Sequence, residues 1–136
     1  MEDATITQRA WIGLGSNLGD RQEHLMGAVR ALREIRGVHV EAISSVYETP
    51  ALGPPQPMYL NAVVRVHTDL SPFALLGLLH GIEDAAGRVR EEPWGPRTLD
   101  LDLLLMEDLV IETPTLTLPH PRLAERNFVL VPLNEL

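Results

Sequence analysis

Two aspartates, Asp100 and Asp102, lie two positions apart in a stretch where polar and apolar residues alternate. This alternation begins at residue 98 and has the period of a strand with one buried face. On such a strand both carboxylates project from the same face, roughly 6.6 Å apart. Like charges this close repel unless a cation lies between them. Oxygen ligands favour a hard divalent cation, and Mg²⁺ beside phosphates takes only one or two protein carboxylates.

Three arginines, Arg88, Arg90 and Arg97, precede this pair around a Trp-Gly-Pro turn at 94–96. Guanidinium groups beside metal-binding carboxylates indicate a polyphosphate ligand. For the D-x-D pattern alone a plainer alternative stays open, namely a strand whose solvated polar face is neutralised by arginines. The combination of carboxylates and arginines favours phosphate chemistry.

The composition limits which chemistry is available. All 11 basic residues are arginine, so a P-loop lysine and a Schiff-base lysine are both excluded. The chain has no cysteine, which excludes disulfides, thiolate nucleophiles and zinc sites with cysteine ligands. A net charge of -8 argues against general binding to nucleic acid or to anionic membranes, because both require a basic face.

The length of 136 residues predicts a single domain over 1–136, which is large enough to bury a core. No apolar run is long enough to span a bilayer, and the first residues lack the basic region of a signal peptide. We therefore expect a cytoplasmic location.

Around the aspartates the predicted order is strand, helix, strand, strand, helix, strand, followed by a strand-rich tail. The tail includes an apolar run at 128–133, and a proline-rich loop is predicted at 48–58. This order is typical of an α+β, ferredoxin-like split βαβ fold, an antiparallel sheet with helices packed on one face. The predicted strands are 10–15, 38–47, 59–68 and 98–105, and the predicted helices are 21–36 and 72–86.

Side-chain alternation predicts which residues face the core. In the strand of the aspartates, Leu99, Leu101, Leu103 and Leu105 are predicted to point inward. In the strand at 59–68, Tyr59 and Asn61 share the outer face and could bind a flat heterocycle, although such a pair is often plain surface.

Three glycines, Gly13, Gly15 and Gly19, resemble a dinucleotide fingerprint only superficially. Their spacing, G-x-G-x-x-x-G, is one residue too long, and no acidic residue is obviously placed to bind a ribose. We therefore interpret all three as turn glycines.

Six motifs in the chain resemble those of 6-hydroxymethyl-7,8-dihydropterin pyrophosphokinases, enzymes of the folate pathway. The resemblance covers residues 11–133, and the nine-residue run at 94–102 is highly specific. The motifs are Gly-Ser-Asn-Leu-Gly at 15–19, Ser-Ser-Val-Tyr-Glu-Thr-Pro at 44–50, Tyr-Leu-Asn-Ala at 59–62, Gly-Arg-Val-Arg at 87–90, Trp-Gly-Pro-Arg-Thr-Leu-Asp-Leu-Asp at 94–102 and Pro-His-Pro at 119–121.

The resemblance implies transfer of the β,γ-diphosphate of ATP to the hydroxymethyl oxygen of the pterin, with release of AMP. It implies two Mg²⁺ ions on Asp100 and Asp102, and catalytic action of Arg88 and Arg97 on the phosphates. The positions that match ATP-binding residues of the family are Glu83, Arg90, Trp94, Thr117, His120 and Arg126.

The implied pterin pocket places the bicycle between two aromatic rings, those of Tyr59 and Phe128, while Asn61 reads its edge. The positions that match this pocket are Thr49, Pro50, Leu52, Tyr59, Asn61 and Phe128. The expected partners are therefore two small-molecule substrates, with neither nucleic acid nor membrane, and the expected state is a monomer.

The chain departs from the family pattern at three positions near the expected ATP site. His80 replaces a common glutamine, Thr115 stands where some members have arginine, and Pro121 where some have tyrosine. The segment 90–94 is also one residue shorter than in some members. We expect altered contacts to adenosine rather than loss of the reaction.

Two other functions fit part of the pattern. A D-x-D nucleotidyl- or glycosyltransferase also holds Mg²⁺ or Mn²⁺ against a nucleotide, although the chain is short for a sugar-nucleotide site. A non-catalytic ferredoxin-like module that binds a ligand or dimerises is the second alternative, but it has no use for D-x-D beside three arginines.

Overall fold

The computed structural model describes residues 7–50, 55–86, 98–107, 109–121 and 127–136, and for 127–129 it describes the backbone alone. Within these residues the elements are, in chain order, β1 (Gln8–Ser16), α1 (Arg21–Glu34), β2 (Val38–Ile43), β3 (Tyr47–Thr49), β4 (Tyr59–Thr68), α2 (Pro72–Ala85), β5 (Asp100–Met106), β6 (Ile111–Glu112), β7 (Thr117–Leu118) and α3 (Asn127–Asn134).

In the described part of the chain, five strands form one sheet in the order β2-β4-β1-β5, with β3 paired to β4 beyond the end of β2. Every pair in it is antiparallel. A helix connects β1 to β2 and another connects β4 to β5, so each crossover skips one strand, as in a split βαβ unit. The predicted α+β ferredoxin-like arrangement is confirmed. That residues 1–136 form a single domain stays a prediction.

The main core lies between the sheet and the helices α1 and α2. Both helices begin at their predicted first residues, 21 and 72, because the residue before each one caps it. The Asp20 carboxylate accepts a hydrogen bond from the Glu23 N–H and the Ser71 hydroxyl accepts one from the Ala74 N–H, each at 3.1 Å. Fully buried members of this core include Ile12, Leu32, Val64, Leu75, Leu79 and Leu99.

A β-bulge in β5 changes the predicted inward face. Trp11 pairs with Leu105 but Ile12 pairs with Leu103, so Leu104 is an extra residue in the ladder. Beyond the bulge the main core contains Met106, and Leu104 packs on the opposite face of the sheet. The prediction that Leu105 points into the core is therefore wrong, because alternation fails where a residue is inserted.

The predicted strand at 38–47 is interrupted. Ser44 separates β2 from β3, and its hydroxyl oxygen accepts a hydrogen bond from the Val63 N–H at 2.8 Å. The Ser44 N–H also donates to the Val63 carbonyl at 2.9 Å. The loop predicted at 48–58 is consequently shortened, since its first two residues belong to β3.

The prediction of a strand-rich tail is only partly right. β6 and β7 pair as strands, but the apolar run at 128–133 belongs to α3. Leu133 and Leu136 pack on Val63 and Leu104, on the sheet face opposite to α1 and α2. The expectation that all helices pack on one face of the sheet is thus wrong for α3. Apolar residues on the second face must also be buried, and α3 packs against them. Among the described residues, no helix is both long and apolar enough to cross a bilayer.

Candidate active site

Asp100 and Asp102 lie on one face of β5, the strand at one edge of the sheet. The register pairs Asp100 with Gly15 and Asp102 with Gly13, and Leu101 between them is buried on the core side. Both aspartates line one cleft of about 380 Å³. The two carboxylates therefore share an environment, as the two-residue period of the strand predicts.

The cleft runs along the outer edge of β5, between α2 and the segment 113–121. Of the positions expected to bind ATP, it brings Glu83, Thr117 and His120 together with both aspartates. The three positions that depart from the family pattern, His80, Thr115 and Pro121, line the same cleft.

Glu83 connects α2 to the strand of the aspartates. Its side chain is only 1% exposed, and its Oε2 accepts a hydrogen bond of 2.8 Å from the Leu101 N–H. A hydrogen bond to a carboxylate is stronger than one between neutral groups. The contact fixes the backbone midway between Asp100 and Asp102.

The opposite wall of the cleft is held by the backbone at His120 and by the turn at 113–116. The His120 N–H donates to the Leu104 carbonyl at 2.7 Å, at the β-bulge. Within the turn, the Thr113 hydroxyl oxygen accepts from the Leu116 N–H at 3.0 Å. These bonds place Thr115 and Thr117 beside the edge of β5.

One row of residues crosses the sheet at the end of β5 that carries the aspartates. The register aligns Tyr47, Asn61, Gly15 and Asp100 on neighbouring strands. Since adjacent strands are about 4.8 Å apart, the backbones at Asp100 and Asn61 are separated by about 10 Å. Between these two residues in the row lies only Gly15, which has no side chain. The surface of the sheet between Asp100 and Asn61 is therefore bare backbone.

Gly15 is therefore not a turn glycine, and neither is Gly13, because both lie within β1. A Cβ added at Gly15 would approach the Asn61 Oδ1 to 3.4 Å and the Tyr59 ring to 3.5 Å. Gly19 does have the positive φ of a turn glycine, at 69°. The prediction of turn geometry holds for Gly19 alone.

The expected pterin-binding residues that the structure describes lie around this row. The Asn61 side chain is buried, and its Nδ2 donates to the Thr49 hydroxyl at 2.6 Å. Tyr59 is two residues away on the same strand, and Pro50 follows Thr49 at the end of β3.

Two residues that the sequence reasoning missed connect the start of α1 to the segment 48–58. The Asn17 Nδ2 donates to the Gln56 side chain at 2.7 Å and to the Pro57 carbonyl at 3.0 Å. The Arg21 Nη1 donates to the Glu48 carboxylate at 2.8 Å and to the Met58 carbonyl at 2.7 Å. No signal in the sequence links these positions, since each pair is 27 to 40 residues apart.

Several predicted site residues fall outside the described part of the chain. For Phe128 the structure describes the backbone, in the first turn of α3, but not the side chain. The others are Leu52, Arg88, Arg90, Trp94, Arg97 and Arg126.

The two carboxylates of Asp100 and Asp102 are a donor set that suits Mg²⁺. Among the described residues there is no cluster of three or more His, Asp or Glu side chains that could hold an ion. Two carboxylates completed by water and phosphate oxygens are typical ligands of Mg²⁺ beside a nucleotide.

Electrostatic contacts at the rim of the site involve Tyr47 and Glu135. Hydrogen bonds from the Tyr47 hydroxyl and from the Ser45 N–H hold the pKa of Glu135 below its ordinary value. The same contact with Glu135 raises the pKa of Tyr47.

The known proteins to which this chain is similar are pterin pyrophosphokinases. The family model for 7,8-dihydro-6-hydroxymethylpterin-pyrophosphokinase (HPPK) matches residues 11–136. A 2-amino-4-hydroxy-6-hydroxymethyldihydropteridine pyrophosphokinase of Synechocystis sp. is 49% identical over 93% of this chain and 65% of its own length. The enzyme of the same name from Bacillus subtilis is 50% identical over 93% of this chain and 77% of its own length.

A crystal structure of an HPPK-DHPS in complex with substrates is similar in fold. The two structures superpose with a TM-score of 0.73, and their sequences are 13% identical. The matched region covers 96% of this chain and 40% of the HPPK-DHPS chain. The family resemblance predicted from the six motifs is confirmed. The class of enzyme, a pterin pyrophosphokinase of folate biosynthesis, is also confirmed at the level of the family. The chain belongs to the 7,8-dihydro-6-hydroxymethylpterin-pyrophosphokinase family.

Proposed function

We propose that this chain transfers the β,γ-diphosphate of ATP to the hydroxymethyl oxygen of 6-hydroxymethyl-7,8-dihydropterin. The observation that carries the proposal is the position of Asp100. It lines the cleft that holds Glu83, Thr117 and His120, and it also ends the row that contains Asn61. A nucleotide in the cleft and a pterin beside Asn61 would therefore meet at the aspartates.

The reaction is a displacement at the β-phosphorus. The hydroxymethyl oxygen forms a bond to this atom, and the bond from it to the α,β-bridging oxygen breaks. AMP leaves with the electron pair of that bond, and the proton of the hydroxyl group passes to solvent. Catalysis of such a step consists mostly of positioning and charge neutralisation, so no dedicated general base is needed.

Asp100 and Asp102 would hold two Mg²⁺ ions against the triphosphate. Bound Mg²⁺ supplies positive charge to the phosphate oxygens and lowers the pKa of a hydroxyl group that it contacts. Holding the cations is the task of the two carboxylates, and Glu83 keeps the backbone between them in place through its bond to the Leu101 N–H.

Arginines supply the remaining positive charge in this proposal. Arg88 and Arg97 would act on the phosphates, and Arg90, Trp94 and Arg126 would contribute to ATP binding with the residues of the cleft. An arginine that closes over phosphates is worth on the order of 10³ to 10⁵ in rate in comparable phosphoryl transfers.

The pterin would bind over Gly15, with its edge at Asn61. Tyr59 and Phe128 would enclose the flat bicycle, because stacking between two rings buries both of its faces. Thr49, Pro50 and Leu52 would line the remaining side.

Incubation of the chain with ATP, Mg²⁺ and 6-hydroxymethyl-7,8-dihydropterin tests the proposal. Chromatography should detect AMP and the pterin diphosphate in equal amounts, with neither product when the pterin is omitted. Release of ADP, or consumption of a nucleotide sugar instead of the pterin, would overturn it. A monomeric state and a cytoplasmic location are also proposed, and light scattering and cell fractionation test them.

A further inference from the structure

The C-terminal end of α3 is fastened to β3 and to the residues just before it. The Glu135 carboxylate accepts hydrogen bonds from the Ser45 N–H at 3.0 Å, from the Ser45 hydroxyl at 3.2 Å and from the Tyr47 hydroxyl. Beside it, the Arg65 Nη1 donates to the Leu136 carbonyl at 3.1 Å. One carboxylate thus satisfies three donors from two residues of the neighbouring chain segment.

The helix that this contact fastens is short and contains a proline. α3 spans only eight residues, Asn127–Asn134, and Pro132 lies inside it. Proline has no N–H, so it cannot donate to the carbonyl of Phe128 one turn earlier. Isolated helices this short are unstable in water, and packing must hold them in place.

The fastening point is connected to the proposed pterin site. Tyr47 lies directly opposite Asn61 in the β3–β4 pair, and Asn61 donates to the Thr49 hydroxyl two residues beyond Tyr47. At the other end of α3, Phe128 lies in the first helical turn. A shift of α3 relative to β3 would therefore change the distance between Phe128 and the strand that carries Tyr59 and Asn61.

We propose that Glu135 and Tyr47 are positioning residues for the pterin, because their hydrogen bond sets the position of α3 relative to β3. The inference rests on the proposed function and adds to it two residues that the resemblance did not assign. Neither residue touches the cleft in which Glu83, Thr117 and His120 lie. Their effect is therefore confined to one of the two substrates.

The test compares Glu135→Gln, Tyr47→Phe and the double variant with the unchanged chain. Titrations with 6-hydroxymethylpterin and, separately, with Mg²⁺ and a non-hydrolysable ATP analogue give two dissociation constants for each protein. We expect each single variant to raise the Kd for the pterin about tenfold, the effect of losing one charge-assisted contact. The Kd for the ATP analogue should stay within about twofold, since it depends on the other edge of the sheet.

The two substitutions act on one contact, because Tyr47→Phe removes its donor and Glu135→Gln removes the charge of its acceptor. The rise in the pterin Kd of the double variant should therefore be smaller than the product of the two single rises. Glu23→Gln is the matched control, since Glu23 is an exposed carboxylate paired with Arg30 on α1. It should leave both dissociation constants unchanged.

Two outcomes would overturn the inference. One is an unchanged pterin Kd in Tyr47→Phe and Glu135→Gln; the other is an equal rise in both dissociation constants, which indicates general loosening of the fold. Failure of the proposed function is distinguishable, because the unchanged chain would then neither bind the pterin nor release AMP.

Discussion

At the scale of single residues, a carboxylate and an amide of the same size differ mainly by one charge. The proposed cation on Asp102 would depend on that charge, so Asp102→Asn should lower the rate of AMP release on the order of 10³-fold. The substitution would remove several kcal/mol of charge stabilisation from the transition state. Each 1.36 kcal/mol added to the activation free energy lowers the rate tenfold, which gives this magnitude. The measurement is the initial rate of AMP formation at saturating ATP.

Glu34→Gln removes the same charge from an exposed position on α1 and serves as the control. It should keep full activity. Full activity of Asp102→Asn would remove the metal role from this strand.

Glu83 should stabilise the fold because it is buried and accepts a hydrogen bond from a buried backbone N–H. Glu83→Leu leaves the buried Leu101 N–H without its acceptor, so we expect the free energy of unfolding to fall by about 1–3 kcal/mol. Glu83→Gln keeps an acceptor oxygen and should lose less. Urea denaturation of the three proteins measures the difference, and equal midpoints for all three would show that the bond contributes nothing to stability.

At the scale of elements, β1 contributes a bare backbone to the row between Asp100 and Asn61. Gly15→Ala puts a methyl group into that space at ordinary contact distance from Asn61 and Tyr59. We expect the fold to tolerate it and the Kd for the pterin to rise about tenfold or more, as for one added methyl in a fitted pocket. Titration with 6-hydroxymethylpterin measures the change.

Gly77→Ala is the matched control, because a Cβ at that position on α2 meets nothing within 4 Å. It should leave the pterin Kd unchanged. Unchanged binding in Gly15→Ala as well would place the pterin elsewhere.

Much of this arrangement follows from local patterns in the sequence. The caps at Asp20 and Ser71 and the common face of Asp100 and Asp102 depend on residues a few positions apart, so periodicity and capping rules predict them. The motif at 94–102 also identifies the family without reference to structure.

The features that were predicted wrongly depend on distant contacts. The bulge at Leu104 requires the partner strand β1, and the break at Ser44 requires the backbone of Val63. The run at 128–133 contains two valines and a phenylalanine, which favour strands. It is helical because Leu133 and Leu136 cover the second face of the sheet, and tertiary packing overrides propensity.

At the scale of the whole molecule, the stability of the fold should depend on pH through an ionic contact that joins three strands. The Glu41 carboxylate on β2 accepts hydrogen bonds from Arg9 on β1 and Arg65 on β4, at 3.1 and 3.3 Å. Desolvation alone would raise the pKa of Glu41, but the two arginines outweigh it and lower the pKa below the ordinary 4.5. A carboxylate whose pKa is lowered by folding stabilises the protein at pH values above its pKa in the unfolded chain. This stabilisation is lost as the pH falls through the pKa of the group in the folded protein.

We therefore expect Glu41→Gln to be less stable than the unchanged chain near neutral pH, by a small amount because Glu41 is exposed. The difference should shrink below about pH 4.5 and vanish below the folded pKa. Urea denaturation at several pH values measures it. A difference that grows as the pH falls would contradict the lowered pKa.

Ligand binding should also stabilise the whole chain. A ligand at 100 times its Kd adds about 2.7 kcal/mol to the free energy of unfolding, which raises Tm by several degrees at this length. We expect this shift with Mg²⁺ and a non-hydrolysable ATP analogue together, and its loss when EDTA removes the metal. A shift that survives EDTA would mean that the nucleotide binds without the cation.

The bonds of Arg21 have a consequence for how this protein can vary. One guanidinium group at the start of α1 contacts both Glu48 and Met58, so it closes the intervening segment into a noncovalent ring. In such a ring the entropic cost of closure grows only with the logarithm of its length, about 0.6 kcal/mol for a doubling. Insertions between the two anchors should therefore cost the fold little free energy, while the strands on either side keep their register.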